Sequence, residues 1–176
     1  PRIFLDLKLH DIPNTVEKGL KAILKLKPTF TTIHISGGDD MQKLSALKTN
    51  KKTKILGVTI LTSLDKKQTL KYYNKKNIDS LVTKFAKYAK NNNLCGLVCS
   101  PLEIKKVRKE VGGKMILVVP GIRPEKIHTK KKDDQKRTLT PNEAIKLGAD
   151  YLVIGRPIIE SKNPLETIIK INQSIQ

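Results

Sequence analysis

Two carboxylates and one ammonium lie close together near the start of the chain, at Asp6, Lys8 and Asp11. Residues 3–9 alternate as a β-strand does, which puts Asp6 and Lys8 on one face, roughly 7 Å apart. Pro13, two residues beyond Asp11, favours the start of a helix there. Charged side chains where a strand turns into a helix are typical of the catalytic face of a barrel enzyme.

Two structural interpretations compete with the catalytic one. Asp6 and Lys8 are equally consistent with an ordinary ion pair on a half-exposed strand. On local grounds Asp11 is better explained as a cap for the helix that Pro13 begins. The spacing of these charges leaves both interpretations open.

The length of 176 residues suits one domain, residues 1–176, with a core of its own. No apolar run approaches the roughly 20 residues of a membrane span, and no signal-like segment opens the chain. We therefore expect a cytoplasmic protein with no membrane partner. The chain begins without Met and without a lead-in to its first strand, so we expect a segment to be missing in front.

The formal charge of +19 comes almost entirely from lysine. The lysines are scattered over every segment, aromatic residues are scarce and there is no Trp, whereas single-strand nucleic-acid binders interleave stacking aromatics with their basic groups. We therefore predict no nucleic-acid partner and interpret the charge as a solvated exterior that favours an anionic substrate. His10, His34 and His128 show no metal-ligand spacing, so we predict no metal site.

Strand and helix patterns alternate along the whole chain. Near-continuous apolar strands that alternate with amphipathic helices indicate a parallel sheet covered by helices. The predicted strands are residues 3–9, 30–35, 54–61, 94–99, 115–119 and 150–154. The predicted helices are residues 13–25, 41–48, 80–90, 101–110, 141–147 and 164–172, and residues 66–79 read as polar and irregular. A complete (β/α)₈ TIM barrel takes roughly 250 residues, so we predict an α/β fold that is such a barrel with about six βα units, the first two missing.

Two arginines follow the last two predicted strands, where barrels often bind phosphate. Guanidinium groups such as those of Arg123 and Arg156 pair with phosphate oxygens in bidentate fashion, and Gly155 leaves its backbone N–H unobstructed. The alternative is that both are ordinary surface arginines in loops.

The amino-acid sequences of these segments resemble those of the orotidine 5′-phosphate decarboxylase family. The run FLDLKLHDIPNTV is similar to the signature of that family, whose Asp-x-Lys-x-x-Asp motif falls on Asp6, Lys8 and Asp11. Further along, HISGG, VTILTS, GLVCS, VVPGIRP and DYLVIGRPI resemble other family segments in the family's order. The stretch DDQKRTLTP resembles the loop that closes over the phosphate. Together these matches cover nearly the whole chain.

The resemblance implies decarboxylation of orotidine 5′-monophosphate to UMP without a cofactor, in a homodimer. By position it makes Lys8 the proton donor, flanked by Asp6 and Asp11, with Asp11 reaching into the neighbouring subunit's site. It also implies contacts to the nucleotide from Ile12, Pro13, Thr15 and Thr62, and to its phosphate from Arg123, Gln135, Gly155 and Arg156.

The sequence departs from the family in one respect, and two other interpretations of its function remain. The family also uses an Asp and a Lys from strands that precede the signature, and no residue of this sequence matches them. We therefore expect the 176-residue chain by itself to be inactive. The rival interpretations are a sugar-phosphate decarboxylase or aldolase of the same superfamily, which normally uses Mg²⁺, and a non-catalytic truncated remnant. The PGIRP and Asp-Gln-Lys-Arg segments argue against the sugar-phosphate decarboxylase or aldolase.

Overall fold

Six parallel strands form a single sheet in a computed structural model of the chain, which describes residues 2–50, 52–124 and 138–175. Their order across the sheet is their order along the chain. The strands are β1 (Phe4–Leu9), β2 (Phe30–His34), β3 (Lys54–Val58), β4 (Gly96–Val98), β5 (Ile116–Pro120) and β6 (Tyr151–Val153). All six match predicted strands, mostly with ends trimmed by a few residues.

Helices connect successive strands, and two more follow β6. They are α1 (Pro13–Lys25), α2 (Asp39–Ala46), α3 (Lys66–Tyr73), α4 (Ile78–Asn91), α5 (Ile104–Val111), α6 (Pro141–Lys146), α7 (Arg156–Ile159) and α8 (Pro164–Ser174). Pro13 begins α1 as predicted, and buried Val16, Leu20 and Ile23 recur at helical spacing on its inner face. Because every connection between neighbouring strands crosses over through a helix, the carboxyl ends of all six strands lie along one edge.

The prediction of an irregular segment over residues 66–79 was wrong, because α3 and the start of α4 lie there. The Asp65 side chain accepts a hydrogen bond from the backbone N–H of Gln68, and the Gln68 side chain accepts one from the N–H of Asp65. This capping box begins α3, and Asn74 in a left-handed conformation ends it. Asn77 caps α4 in turn, so that α4 begins before the predicted Ser80. Capping hydrogen bonds at the helix ends therefore stabilise α3 and α4, although the apolar periodicity of this segment is weak.

The sheet is curled into a partial TIM barrel. The larger core cluster lies between the strands and helices, whereas a second cluster on the other face consists of strand residues: Phe30, Leu56, Val58, Val98 and Val118, with Phe4 and Ile116 packed against it. The rings of Phe30 on β2 and Tyr151 on β6 are 4.9 Å apart. In a flat sheet these strands would be separated by roughly 19 Å, four strand spacings. The aromatic contact is possible only because the sheet curls, which confirms the predicted fold.

Candidate active site

Asp6 and Lys8 form a close ion pair on β1. The distance from Lys8 Nζ to Asp6 Oδ2 is 2.5 Å, and the side chains are 36% and 35% exposed. Water reaches both groups and screens their attraction, so a pair of this kind contributes about 1 kcal/mol or less to stability. The sequence prediction that the two charges lie close enough to interact is confirmed.

The backbone of Lys8 departs from strand geometry. Its φ angle is +51°, in the left-handed region that a residue with a Cβ rarely adopts. The pairing of β1 with β2 also slips there, because Leu5 lies opposite Thr31 while Leu9 lies opposite Ile33, which leaves two extra residues on β1. The predicted regular alternation of residues 3–9 is therefore wrong in part. Leu5 and Leu9 pack against the core, but Leu7 is 50% exposed.

Thr32 on β2 joins both members of the ion pair. Its hydroxyl donates to Asp6 Oδ1 at 2.7 Å and accepts a hydrogen bond from the Lys8 backbone N–H at 2.9 Å. The Thr32 residue is fully buried, so its hydroxyl lies beneath the partly exposed ion pair. Sequence reasoning missed Thr32. The available signal was a pair of threonines in an otherwise apolar buried strand, next to the strand that carries the charges.

Two histidines stack beside the ion pair. The rings of His10 and His34 are 5.2 Å apart. Burial lowers the pKa of His34 below its usual value, and electrostatic interaction with the neighbouring His10 and Lys8 lowers it further, against a smaller opposing effect of Asp6. His34 therefore stays neutral at pH 7 and does not compete with Lys8 for the Asp6 carboxylate.

This depressed pKa predicts that acid destabilises the fold. The folded state binds fewer protons at His34 than the unfolded state, whose histidine titrates near 6.5, so stability is present above that pH and is lost below it. We expect the free energy of unfolding to fall between about pH 7.5 and about pH 5.5, and to fall less in a His34→Gln variant. Denaturant titrations at both pH values measure this. Equal losses in parent and variant would contradict the assignment.

The segment that follows β1 carries the predicted nucleotide contacts. Asp11 is exposed, and its Oδ1 accepts a hydrogen bond from the N–H of Ile12 at 2.6 Å. The interpretation of Asp11 as the cap of α1 is wrong, because Ile12 occupies the N-cap position and no side chain caps that helix. Ile12 is 67% exposed, Pro13 is half-buried and Thr15 is exposed in the first turn of α1. These side chains are open to a ligand at the carboxyl end of β1.

The remaining residues predicted to contact the nucleotide or its phosphate lie farther along the same edge. Thr62 is in the turn after β3, and Arg123 follows β5, with its N–H bonded to the carbonyl of Leu139 at 2.9 Å. Arg156 is the first residue of α7, and Gly155 precedes it. Among the described residues, a Cβ at Gly155 would meet no atom within 4 Å, so its backbone is open to a ligand. Gln135 lies outside the described residues.

The structure thus joins Asp6, Lys8 and Thr32 directly, with the His10–His34 pair beside them. It places Thr62, Arg123 and Arg156 at the same edge through their strands. Within residues 2–50, 52–124 and 138–175, no three acidic, histidine or cysteine side chains form a group that would hold a metal ion. None of the helices in the described part of the chain is long and apolar enough to cross a membrane.

Comparisons with known proteins converge on one family. The model of the orotidine 5′-phosphate decarboxylase / HUMPS family matches residues 2–171. The chain is 47% identical over 174 residues to the orotidine 5′-phosphate decarboxylase of Wolbachia pipientis subsp. Culex pipiens (strain wPip), a match covering 98% of this chain and 75% of the relative. It is 44% identical over 176 residues to the enzyme of the same name from Staphylococcus saprophyticus, again 98% of this chain and 75% of the relative. The crystal structure of orotidine 5′-phosphate decarboxylase from Lactobacillus acidophilus superposes with a TM-score of 0.83 at 36% identity, covering 99% of this chain and 75% of that one.

Proposed function

The chain belongs to the orotidine 5′-phosphate decarboxylase / HUMPS family, and from this premise we propose that the full-length protein converts orotidine 5′-monophosphate to UMP, the last step of de novo pyrimidine biosynthesis. The relatives that carry this activity in their names match 98% of the chain, which includes both the Lys8 and the Arg156 ends of the site. We also propose that residues 1–176 form one partial barrel domain, and that the protein acts in the cytoplasm.

The conformation of Lys8 is the observation that supports a catalytic role. A left-handed backbone at a residue with a side chain costs about 1–3 kcal/mol. The exposed Asp6–Lys8 pair returns about 1 kcal/mol or less. A pair that served only stability would therefore not offset the strain needed to form it. Strain that packing alone does not explain is typical of residues held ready for chemistry.

The chemistry of the substrate explains why a fixed ammonium is needed. When the bond between C6 and the carboxylate breaks, CO₂ leaves and the electron pair stays on C6 of the pyrimidine. An ammonium beside that carbon stabilises the developing charge and then donates a proton to it. Lys8 supplies both, and Asp6 holds its Nζ in position. Because the proton comes from the side chain, the proposed step uses no cofactor.

Binding of the phosphate is assigned to the far side of the site. Arg123, Arg156 and Gln135 are proposed to hold it together with the backbone N–H of Gly155, and Thr15 and Thr62 are proposed to contact the nucleotide. Contacts to a remote, non-reacting phosphate position the reacting ring next to Lys8.

The proposal is tested with the purified full-length protein and orotidine 5′-monophosphate. We expect the substrate absorbance to fall while UMP accumulates in equal amount. Absence of turnover in a folded protein that binds UMP would contradict decarboxylation. Chelator-sensitive turnover of a sugar phosphate, with none of orotidine 5′-monophosphate, would favour the metal-dependent sugar-phosphate enzymes of the superfamily.

We further propose that the active protein is a homodimer in which Asp11 completes the partner's site. The exposure of the Asp11 carboxylate and of the Ile12 side chain beside it supports this, because both are available to a second chain. A two-fold axis would then bring the Asp11 of each subunit to the Lys8 of the other.

Mixing two inactive variants tests this arrangement. Lys8→Ala and Asp11→Ala homodimers are each expected to be inactive, because neither has a site with both groups. After subunit exchange, half of the dimers are mixed and one of their two sites is intact, so about one quarter of the activity should return. Activity measured before and after co-refolding reads this directly. If Asp11 acts within its own subunit, mixing restores nothing.

A further inference from the structure

Thr32 is the point at which the Asp6 side chain and the Lys8 backbone meet. The hydroxyl has one proton, which it donates to Asp6 Oδ1, and its oxygen accepts the Lys8 N–H. Asp6 Oδ2 is then left for Lys8 Nζ. A single buried side chain therefore orients the carboxylate and anchors the lysine backbone at the same time.

The hydrogen bond from the Lys8 N–H forms where the regular backbone pairing of β1 with β2 is interrupted. Between the Leu5–Thr31 and Leu9–Ile33 pairs, β1 carries two more residues than β2, and Lys8 takes its left-handed conformation within that excess. The Lys8 N–H is bonded to a side-chain hydroxyl instead of a carbonyl of β2. This bond fixes the irregular segment in a place where backbone pairing does not.

We infer that Thr32 is a positioning residue for the reaction, an inference that rests on the proposed decarboxylase function. Its hydroxyl is bonded to the Asp6 carboxylate and to the backbone of Lys8, so it acts on the reaction through those two residues. Its hydroxyl holds Lys8 in the strained conformation that presents Nζ to the substrate, and it fixes the Asp6 carboxylate that holds Nζ. Loss of the hydroxyl lets the segment relax toward regular strand geometry, which carries Nζ away from the carbon that it protonates.

Thr31, the preceding residue on β2, provides a matched control. Both threonines are fully buried in the same strand. The Thr31 hydroxyl, however, has no hydrogen-bond partner among the described residues. Thr31→Val and Thr32→Val thus exchange the same atoms in the same strand, and only the second removes hydrogen bonds to the site.

The experiment measures steady-state kinetics for the full-length parent and these variants. We expect Thr32→Val to lower kcat about 10- to 100-fold, since a hydrogen bond to a charged group is lost, and to change KM by less than about threefold. Thr31→Val should keep parental kinetics. Thr32→Ser, which retains the hydroxyl, should recover most of kcat. Should the valine variant not fold, Thr32→Ser and Thr32→Ala still differ by the hydroxyl alone, and serine should exceed alanine by about tenfold in kcat.

Several results would overturn the inference. A parental kcat in Thr32→Val, or equal losses in the serine and alanine variants, would show that the hydroxyl does not position Lys8. Equal losses in Thr31→Val and Thr32→Val would point to strand packing. Crystal structures of the parent and Thr32→Val proteins test the inference without any assay, because Lys8 should leave the left-handed region in the variant. An unchanged Lys8 would refute the inference, whereas an inactive parent would refute the proposed function alone.

Discussion

Replacing Lys8 by alanine is expected to abolish decarboxylation while leaving nucleotide binding measurable. The variant loses the proton donor and also the cation that stabilises the carbanion, effects that for a general acid alone amount to about 10²- to 10⁴-fold. The affinity for UMP should change far less, because the proposed phosphate contacts lie at the ends of β5 and β6 rather than on β1. Single-turnover kinetics and titration with UMP separate the two effects.

Lys27 supplies the control for this experiment. It is also a lysine with a left-handed backbone, at a φ angle of +52°, but it lies exposed just after α1. Lys27→Ala removes the same side chain from a backbone with nearly the same φ angle and should keep parental activity. Activity of Lys8→Ala within about tenfold of the parent would exclude its role as the proton donor.

The strands and the charge pair could be predicted from sequence because both depend on local pattern. Apolar runs bounded by Gly and Pro predict where a strand lies, and the two-residue spacing of Asp6 and Lys8 predicts that their side chains lie close together. The capping box at Asp65 and Gln68 is also local, and the error over residues 66–79 came from weighing apolar periodicity above terminal hydrogen bonds.

The conformation of Lys8 could not be predicted in this way. It depends on how β1 registers against β2, and the residue that fixes it, Thr32, is 24 positions away in the chain. A spacing rule within one strand contains no information on a partner in the next. The sequence likewise indicates that Arg123 and Arg156 each follow a strand. That both lie at the same edge of the sheet depends on all six strands being parallel, which the pattern of one strand does not show.

Replacing Arg156 by alanine is expected to raise KM for orotidine 5′-monophosphate by about 30- to 5,000-fold, because losing one partner of a charge pair in a water-poor site costs about 2–5 kcal/mol. The same substitution should barely change turnover of orotidine, which lacks the phosphate. Arg156 begins α7 at the carboxyl end of β6, beside the open backbone of Gly155, where it is proposed to hold the phosphate.

The comparison of the two substrates is the internal control, since a general disturbance of α7 would impair both. Arg156→Lys refines it further: lysine keeps the positive charge but cannot form the two parallel hydrogen bonds of a guanidinium, so its KM should fall between those of the parent and the alanine variant. Measurements of kcat/KM for both substrates with all three proteins decide the question. Equal losses with orotidine and its monophosphate would mean that Arg156 does not act through the phosphate.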